Sequence, residues 1–367
     1  MIELDGSYGE GGGSIVRQAL ALSTLTRKPF RVTDIRRGRC KSGLKAQHLH
    51  CVKALQELCG AKVKGVNLGS HEIIYIPEKI KAKTLNIDVG TAGSITLLMQ
   101  SLLLPCIFAN RVITIRIKGG TDTRWSMPID YFKEVLLPQL NRFAEIDCRL
   151  EKRGYYPMGG GKVTLKIKPK VSVGDFSEFK EFLGRIHDKH FVIKLVKQGQ
   201  LIQIKGVSHA AKILEKADVA DRQARAAKME LNKLNAPIKI RKEYADVLCA
   251  GSGITLWAVF SLQDDEIDLN NPIRIGADAL GERGKPAEKV GTEAGKRLIE
   301  EISSGAPVDK HLADNLIPIL ALVGGRMKVS EISDHTRTNI YVVEKFLDVK
   351  FKIDEEDKII RANINDN

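Results

Sequence analysis

Residues 2–26, IELDGSYGEGGGSIVRQALALSTLT, decide the fold. Ile2 to Asp5 reads as a short strand, Gly6 to Gly13 as a glycine-rich turn, and Ser14 opens an apolar helix. Gly11, Gly12 and Gly13 would let backbone amides approach an anion at that helix start. The glycine spacing is that of neither a dinucleotide fingerprint nor a P-loop, so a plain tight turn is an equal reading. Glu10 and Arg17 are the charged residues placed to face whatever the loop holds.

Outward from this stretch, Phe30 to Ile35 reads as a second strand and RRGRCKSG as a turn. Arg36, Arg37, Arg39 and Lys41 crowd that turn and would either grip a phosphate backbone or be solvated. A helix over roughly 44–58 follows, on which His48 and His50 point to different faces and make no metal pair. Strands near Lys62 and Ile73 complete a βαβαββ unit.

The order then recurs. Leu85 to Val89 is a strand, Gly90 to Ser94 a small-residue turn, and ITLLMQSLLL a mostly apolar helix that carries the amide of Gln100. That amide is either a satisfied core group or a ligand contact. Val112 to Ile117 is a strand, GGTDTRWS a loop, Ile129 to Phe143 a helix, and strands near Cys148 and over Val163 to Ile167 close the unit. A third copy shows near the C-terminus: a helix from His311, a strand at Met327, a turn SDHTRTN, a helix from Tyr341, and strands near Lys350 and Ile359.

The first helices of the three copies begin near Gly11, Gly93 and His311, and the second interval is long enough to hold an inserted domain. The expected division is a large domain of 1–178 and 272–367 with a smaller α/β domain at 179–271. His187 and His190 fall in the insert three residues apart, without the helix a metal pair needs. Beyond the insert a helix starts at about Pro286, with Glu288 and Lys289 in its first turn, placed to contact a nucleotide or to balance the helix dipole.

Composition bounds the partners. The chain has 367 residues and a net charge of +13, which favours a polyanionic partner or a solvated basic surface. Aromatics are 5%, so no extended stacking platform is evident. None of the six cysteines forms a CxxC pair, and a reducing cytosol is the simplest compartment. The N-terminus lacks a signal-peptide pattern, and no apolar run approaches the ~18 residues of a membrane span.

The third first-helix, DKHLADNLIPILALVG (Asp309 to Gly324), carries the chemistry. Asp309 is its N-cap, Leu312, Leu316, Ile319 and Leu320 bury one face, and Pro318 kinks it or delays its start. His311 lies in the first turn, where the helix charge disfavours imidazolium and free amides seat phosphate. The residue type and place suggest a histidine that attacks phosphorus, against a plain surface or capping histidine.

LDGSYGEGGGSIVRQALALS, IRRGRCKSGLKAQHL, GTAGSITLLMQ, KGGTDTRWSMPIDYF, RGYYPMGGG, the AEKVG segment and HLADNL, in that order, resemble the RNA 3′-terminal phosphate cyclase family over nearly the whole chain. The resemblance implies three βαβαββ units with a late insert, and the use of ATP with a divalent metal, usually magnesium. It implies a covalent histidine–AMP, transfer of AMP to an RNA 3′-phosphate, and closure by the 2′-hydroxyl to a 2′,3′-cyclic phosphate. Carried onto this sequence it makes His311 the nucleophile and Gln100 and Pro286, Ala287, Glu288, Lys289 and Val290 the ATP contacts. Glu10, Arg17, Arg37, Arg39, Pro128 and Tyr131 would line the cleft. Asn315 and Ser42 depart from the family's usual glutamine and proline, which touches substrate positioning rather than reaction type. The rivals are a non-catalytic cyclase-like protein of ribosome assembly, which would lack the histidine, and an enolpyruvyl transferase, which would have two three-unit domains and no late insert. A homodimer is an open assembly.

Overall fold

A computed structural model describes residues 1–9, 11–81, 84–189, 191–263 and 266–364. The architecture is α/β, built on four mixed four-stranded sheets. In the first, β1 (Ile2–Asp5), α1 (Ser14–Thr26), β2 (Phe30–Thr33), α2 (Ala46–Cys59), β3 (Lys62–Lys64) and β4 (Ile73–Ile76) give the order β1-β2-β4-β3. β1 and β2 are parallel and the other pairs antiparallel. α1 is apolar nearly all round because it is buried all round; of its 13 residues only Arg17 is not buried.

The second sheet repeats that order and those directions with β5 (Thr84–Asp88), β6 (Ile113–Gly119), β7 (Ala144–Lys152) and β8 (Gly161–Pro169), as β5-β6-β8-β7. Its first helix is α3 (Ile95–Ile107). Its second is not the continuous helix expected over 129–143. α4 (Ile129–Tyr131) and α5 (Leu137–Leu140) flank a wider π turn, Phe132–Leu136. Pro138 has no N–H for the carbonyl of Glu134, and Arg274 Nη1 takes that oxygen at 2.7 Å instead.

α6 (Phe179–Asp188) and β9 (Ile193–Leu195) come next. β9 pairs in parallel with β14 (Gly325–Lys328), more than a hundred residues on, in the sheet β9-β14-β16-β15. The other members are β15 (Val349–Asp354) and β16 (Ile359–Ile364). The fourth sheet, β11-β10-β12-β13, is made by β10 (Gln200–Ala211), β11 (Ile238–Ala245), β12 (Ser252–Ser261) and β13 (Ile273–Leu280). α7 (Val219–Leu231) and α8 (Ala287–Ser303) pack on it and on each other. The strands of the fourth sheet thus run from Gln200 to Leu280, and α8, which packs on it, ends at Ser303.

α9 (Lys310–Val323) runs through Pro318 without interruption. α10 (Asp334–Phe346) begins earlier than the sequence suggested, so that SDHTRTN is its first two turns. Ser333 Oγ caps it by accepting from the amide of Thr336 at 3.0 Å. α1 packs on α3 and on α10, and α10 on α9.

Candidate active site

Asp309 holds the start of α9. Its Oδ1 accepts from the amides of His311 and Leu312, both at 3.0 Å, and from Tyr131 Oη at 2.6 Å. Its Oδ2 accepts from the amide of Gly276 on β13 at 2.9 Å. One buried carboxylate thus ties the second unit and the fourth sheet to the turn that presents His311. The exposed His311 ring stands edge-on to Tyr131, 85° between planes and 6.4 Å between centroids.

Three first helices meet through one chain of hydrogen bonds. Arg17 Nε of α1 donates to Gln100 Oε1 of α3 at 3.1 Å, Gln100 Nε2 to Asn315 Oδ1 of α9 at 3.0 Å, and Asn315 Nδ2 to the carbonyl of His311 at 2.7 Å. Asn315 therefore completes the chain where the family's glutamine was expected.

Cations gather at the starts of α1 and α2. Burial lowers the affinity of the Arg17 guanidinium for its proton, and the charge of Arg36 lowers it further. Burial, then the charges of Arg17, Arg36 and Lys45, push His48 down to about 3, so this imidazole is neutral at pH 7. Its Nδ1 accepts from the amide of Lys45 at 2.9 Å. A Cβ on Gly13 would lie 2.2 Å from His48 Nε2, so a glycine is required there. Gly13 also leaves α1 without a side-chain cap, and the cationic mouth and uncapped amides suit a phosphate.

The acidic side of the cleft was missed by sequence reasoning. Burial pushes the carboxyl of Asp278 up to about 6, opposed first by the charge of His311. Burial likewise raises Glu301 and Asp314, and His311 in its charged form pulls both down. Asp314 accepts from Ser333 Oγ and Thr336 Oγ1, both at 2.7 Å, and feels His335 as well. His335 is exposed in the first turn of α10, so two histidines at two helix starts flank one carboxyl.

The other expected site residues are placed as follows. Glu10 and His190 lie outside the described residues. Arg37 is exposed and paired with Asp34 at 3.2 Å, and Arg39 is exposed; it is Arg36 that acts on Arg17 and His48. Pro128 precedes α4, and the buried Tyr131 supports Asp309 rather than facing solvent. Pro286 precedes α8; Ala287 and Val290 are buried, Lys289 is exposed, and Glu288 forms two bonds to Arg222 at 2.6 and 2.9 Å. Of α8, the far-end Glu301 is the group coupled to His311.

A buried cluster of Asp122, Asp130 and His209 has the spacing of a metal site. Its chemistry does not fit magnesium, which asks for six oxygens at about 2.0–2.1 Å, several of them water. Arg153 already donates to Asp122 Oδ2 at 3.2 Å and to Asp130 Oδ2 at 2.8 Å, and the Asp122 and Arg153 side chains are 0% and 2% exposed. Arg153 also binds Glu243 of β11, and His209 of β10 lies 3.3 Å from Asp122, so the cluster ties the fourth sheet to the second.

The fold defines an α/β protein in which cations gather at the uncapped start of α1, α1 is tied through Gln100 and Asn315 to α9, and exposed histidines stand at the starts of α9 and α10. The profile of the family described as RNA 3′-terminal phosphate cyclase matches residues 8–353, and the chain belongs to that family. Three relatives carry the name RNA 3′-terminal phosphate cyclase. That of Pyrococcus abyssi is 43% identical over 97% of this chain and 96% of its own. That of Thermococcus kodakarensis is 43% identical over 97% and 95%. That of Methanosarcina acetivorans is 42% identical over the full length of both. Among the described residues no helix is long and apolar enough to cross a membrane, and the six cysteines are free.

Proposed function

We propose that this enzyme uses ATP to close an RNA 3′-terminal phosphate into a 2′,3′-cyclic phosphodiester. A histidine nitrogen attacks the α-phosphorus and pyrophosphate leaves. An oxygen of the RNA 3′-phosphate then takes the AMP, breaking the N–P bond. The neighbouring 2′-hydroxyl attacks the activated phosphorus and AMP departs. The intermediate is needed because a phosphomonoester is a poor electrophile, and adenylation supplies a leaving group. Positioning of the 2′-hydroxyl does much of the rest.

What carries the reading is one chain of hydrogen bonds from Arg17 through Gln100 to Asn315 on α9, whose Asp314 accepts from Ser333 and Thr336 and so joins the two helix starts that carry His311 and His335. Arg17 and Arg36 would offset phosphate charge, with Arg37 and Arg39 outside them on the RNA path. Magnesium would travel on the ATP phosphates, since the Asp122 cluster does not suit it. The large unit is proposed to span 1–199 and 304–367, with 200–303 inserted.

Two histidines can accept AMP. The sequence motif points to His311. Charge supports His335: His311 is coupled to Asp278, Glu301 and Asp314, which would repel a triphosphate, whereas of these three carboxyls His335 is coupled to Asp314. The test is AMP labelling from α-labelled ATP, located by mass spectrometry. His335→Asn should abolish the adduct and His311→Asn should keep it. The reverse result returns the attack to His311, and an adduct on the double variant removes both from the reaction.

A further inference from the structure

The outer face of α10 carries a second feature that adenylation does not use. Tyr8, at the tip of the glycine-rich loop, lies flat on Tyr341, with ring centroids 3.9 Å apart and planes 16° from parallel. Tyr341 Oη accepts from the amide of Asp5 at 3.1 Å, which fixes the lower ring. Tyr8 is 44% exposed. Lys345 Nζ stands 5.8 Å from the Tyr341 centroid. Beside the stack is a cavity of about 370 Å³, lined by both tyrosines and by Arg337, Lys345 and Lys350.

Helical spacing places this feature relative to the cleft. Arg337, Tyr341 and Lys345 are four apart and form one stripe. His335, Thr338 and Tyr341 are three apart and form a neighbouring row. The glycine loop touches that row in its middle, because a Cβ on Gly9 would lie 2.8 Å from Thr338 Oγ1. Tyr341 is thus about 9 Å along the helix from His335, on the side where the loop closes over α10. Arg337 is held by Glu355 at 2.7 Å, an exposed pair of little strength that a phosphate can replace, whereas Lys350 is held at 2.9 Å by the half-buried Glu344, which also lines the cavity.

We propose that this face is a subsite for single-stranded RNA. A base upstream of the 3′ end stacks on the open side of Tyr8, and its backbone phosphate meets Lys345 and Arg337. The inference rests on the reading that the RNA 3′-phosphate sits in the α9–α10 cleft. Stacking on a tyrosine tolerates any base, so the subsite counts nucleotides and does not read sequence.

The experiment measures binding of 3′-phosphorylated oligouridylates of two and ten nucleotides to the whole protein by fluorescence anisotropy, beside AMP labelling. Tyr8→Ala should weaken the ten-nucleotide RNA by about 5- to 150-fold, the range of one aromatic–base stack. Tyr8→Trp should restore it, Lys345→Ala should weaken it at low salt, and AMP labelling should not change. Equal affinity of wild type and Tyr8→Ala for the longer RNA overturns the proposal, as does an equal loss for both lengths. A length effect that survives while wild type takes no AMP overturns the cyclisation reading and leaves the stacking subsite in place.

Discussion

At the residue scale the cleft sets two titrating groups against each other. Asp278 is raised to about 6 by burial, against about 3.9 in an unfolded chain. Its native form binds the proton more tightly, so its contribution to stability is full below pH 4 and is lost as pH climbs through 6. The loss is at most about 3 kcal/mol, from 1.36 kcal/mol per pKa unit. Asp278→Asn, neutral at every pH, should match wild type near pH 4 and exceed it by up to that amount at pH 8 in urea unfolding. A gap that does not grow with pH sinks the assignment. His48 has the opposite sign: its proton affinity falls on folding, so its contribution is present above pH 6.5 and disappears toward pH 3. Asp309 was legible because a helix cap is a local signal read from four consecutive residues. Asp278 was not, because an aspartate within a strand gives no local sign of facing a histidine 33 residues later.

At the element scale the same distinction holds. Strand, glycine turn and apolar helix were readable at 2–26 because each depends on neighbouring residues. β9 was not, because a three-residue strand has no periodicity and its partner β14 lies more than a hundred residues on, after the whole fourth sheet. The start of α10 was hidden because His335, Thr336 and Thr338 look like turn residues until Ser333 is seen capping them. Helix packing gives a sharper test. A Cβ on Gly291 of α8 would lie 2.0 Å from the carbonyl oxygen of Gln223 on α7, a backbone atom that cannot swing aside. Gly184 of α6 is exposed and nothing lies within 4 Å of its Cβ position. Alanine is favoured over glycine in a helix by up to about 1 kcal/mol, while forced overpacking costs about 1–3 kcal/mol. Gly291→Ala should therefore destabilise the protein by about 1–2 kcal/mol and Gly184→Ala should stabilise it by up to about 1 kcal/mol, read from denaturant midpoints. Shifts of the same sign would refute the close α7–α8 approach.

At the scale of the whole molecule the question is what the charge of +13 does. Composition gave its size but not its place, and the sequence singled out Arg37 and Arg39. The folded chain divides that cluster by depth. Arg36 is half-buried and acts on Arg17 and His48 inside the cleft, while Arg37 stands outside, 72% exposed. The two positions predict different losses. A phosphate contact at the rim releases a counterion, and each such contact adds about 0.7 to the slope of log affinity against log salt for a single strand. Arg37→Gln with Arg39→Gln should weaken the ten-nucleotide RNA and flatten that slope by about 1 to 1.5, with AMP labelling unchanged. Arg36→Gln should instead reduce AMP labelling, because its charge acts within the cleft. Anisotropy titrations from low to moderate salt give the slopes. An unaltered slope in the double variant would take the rim off the RNA path and leave the basic surface as solvated charge.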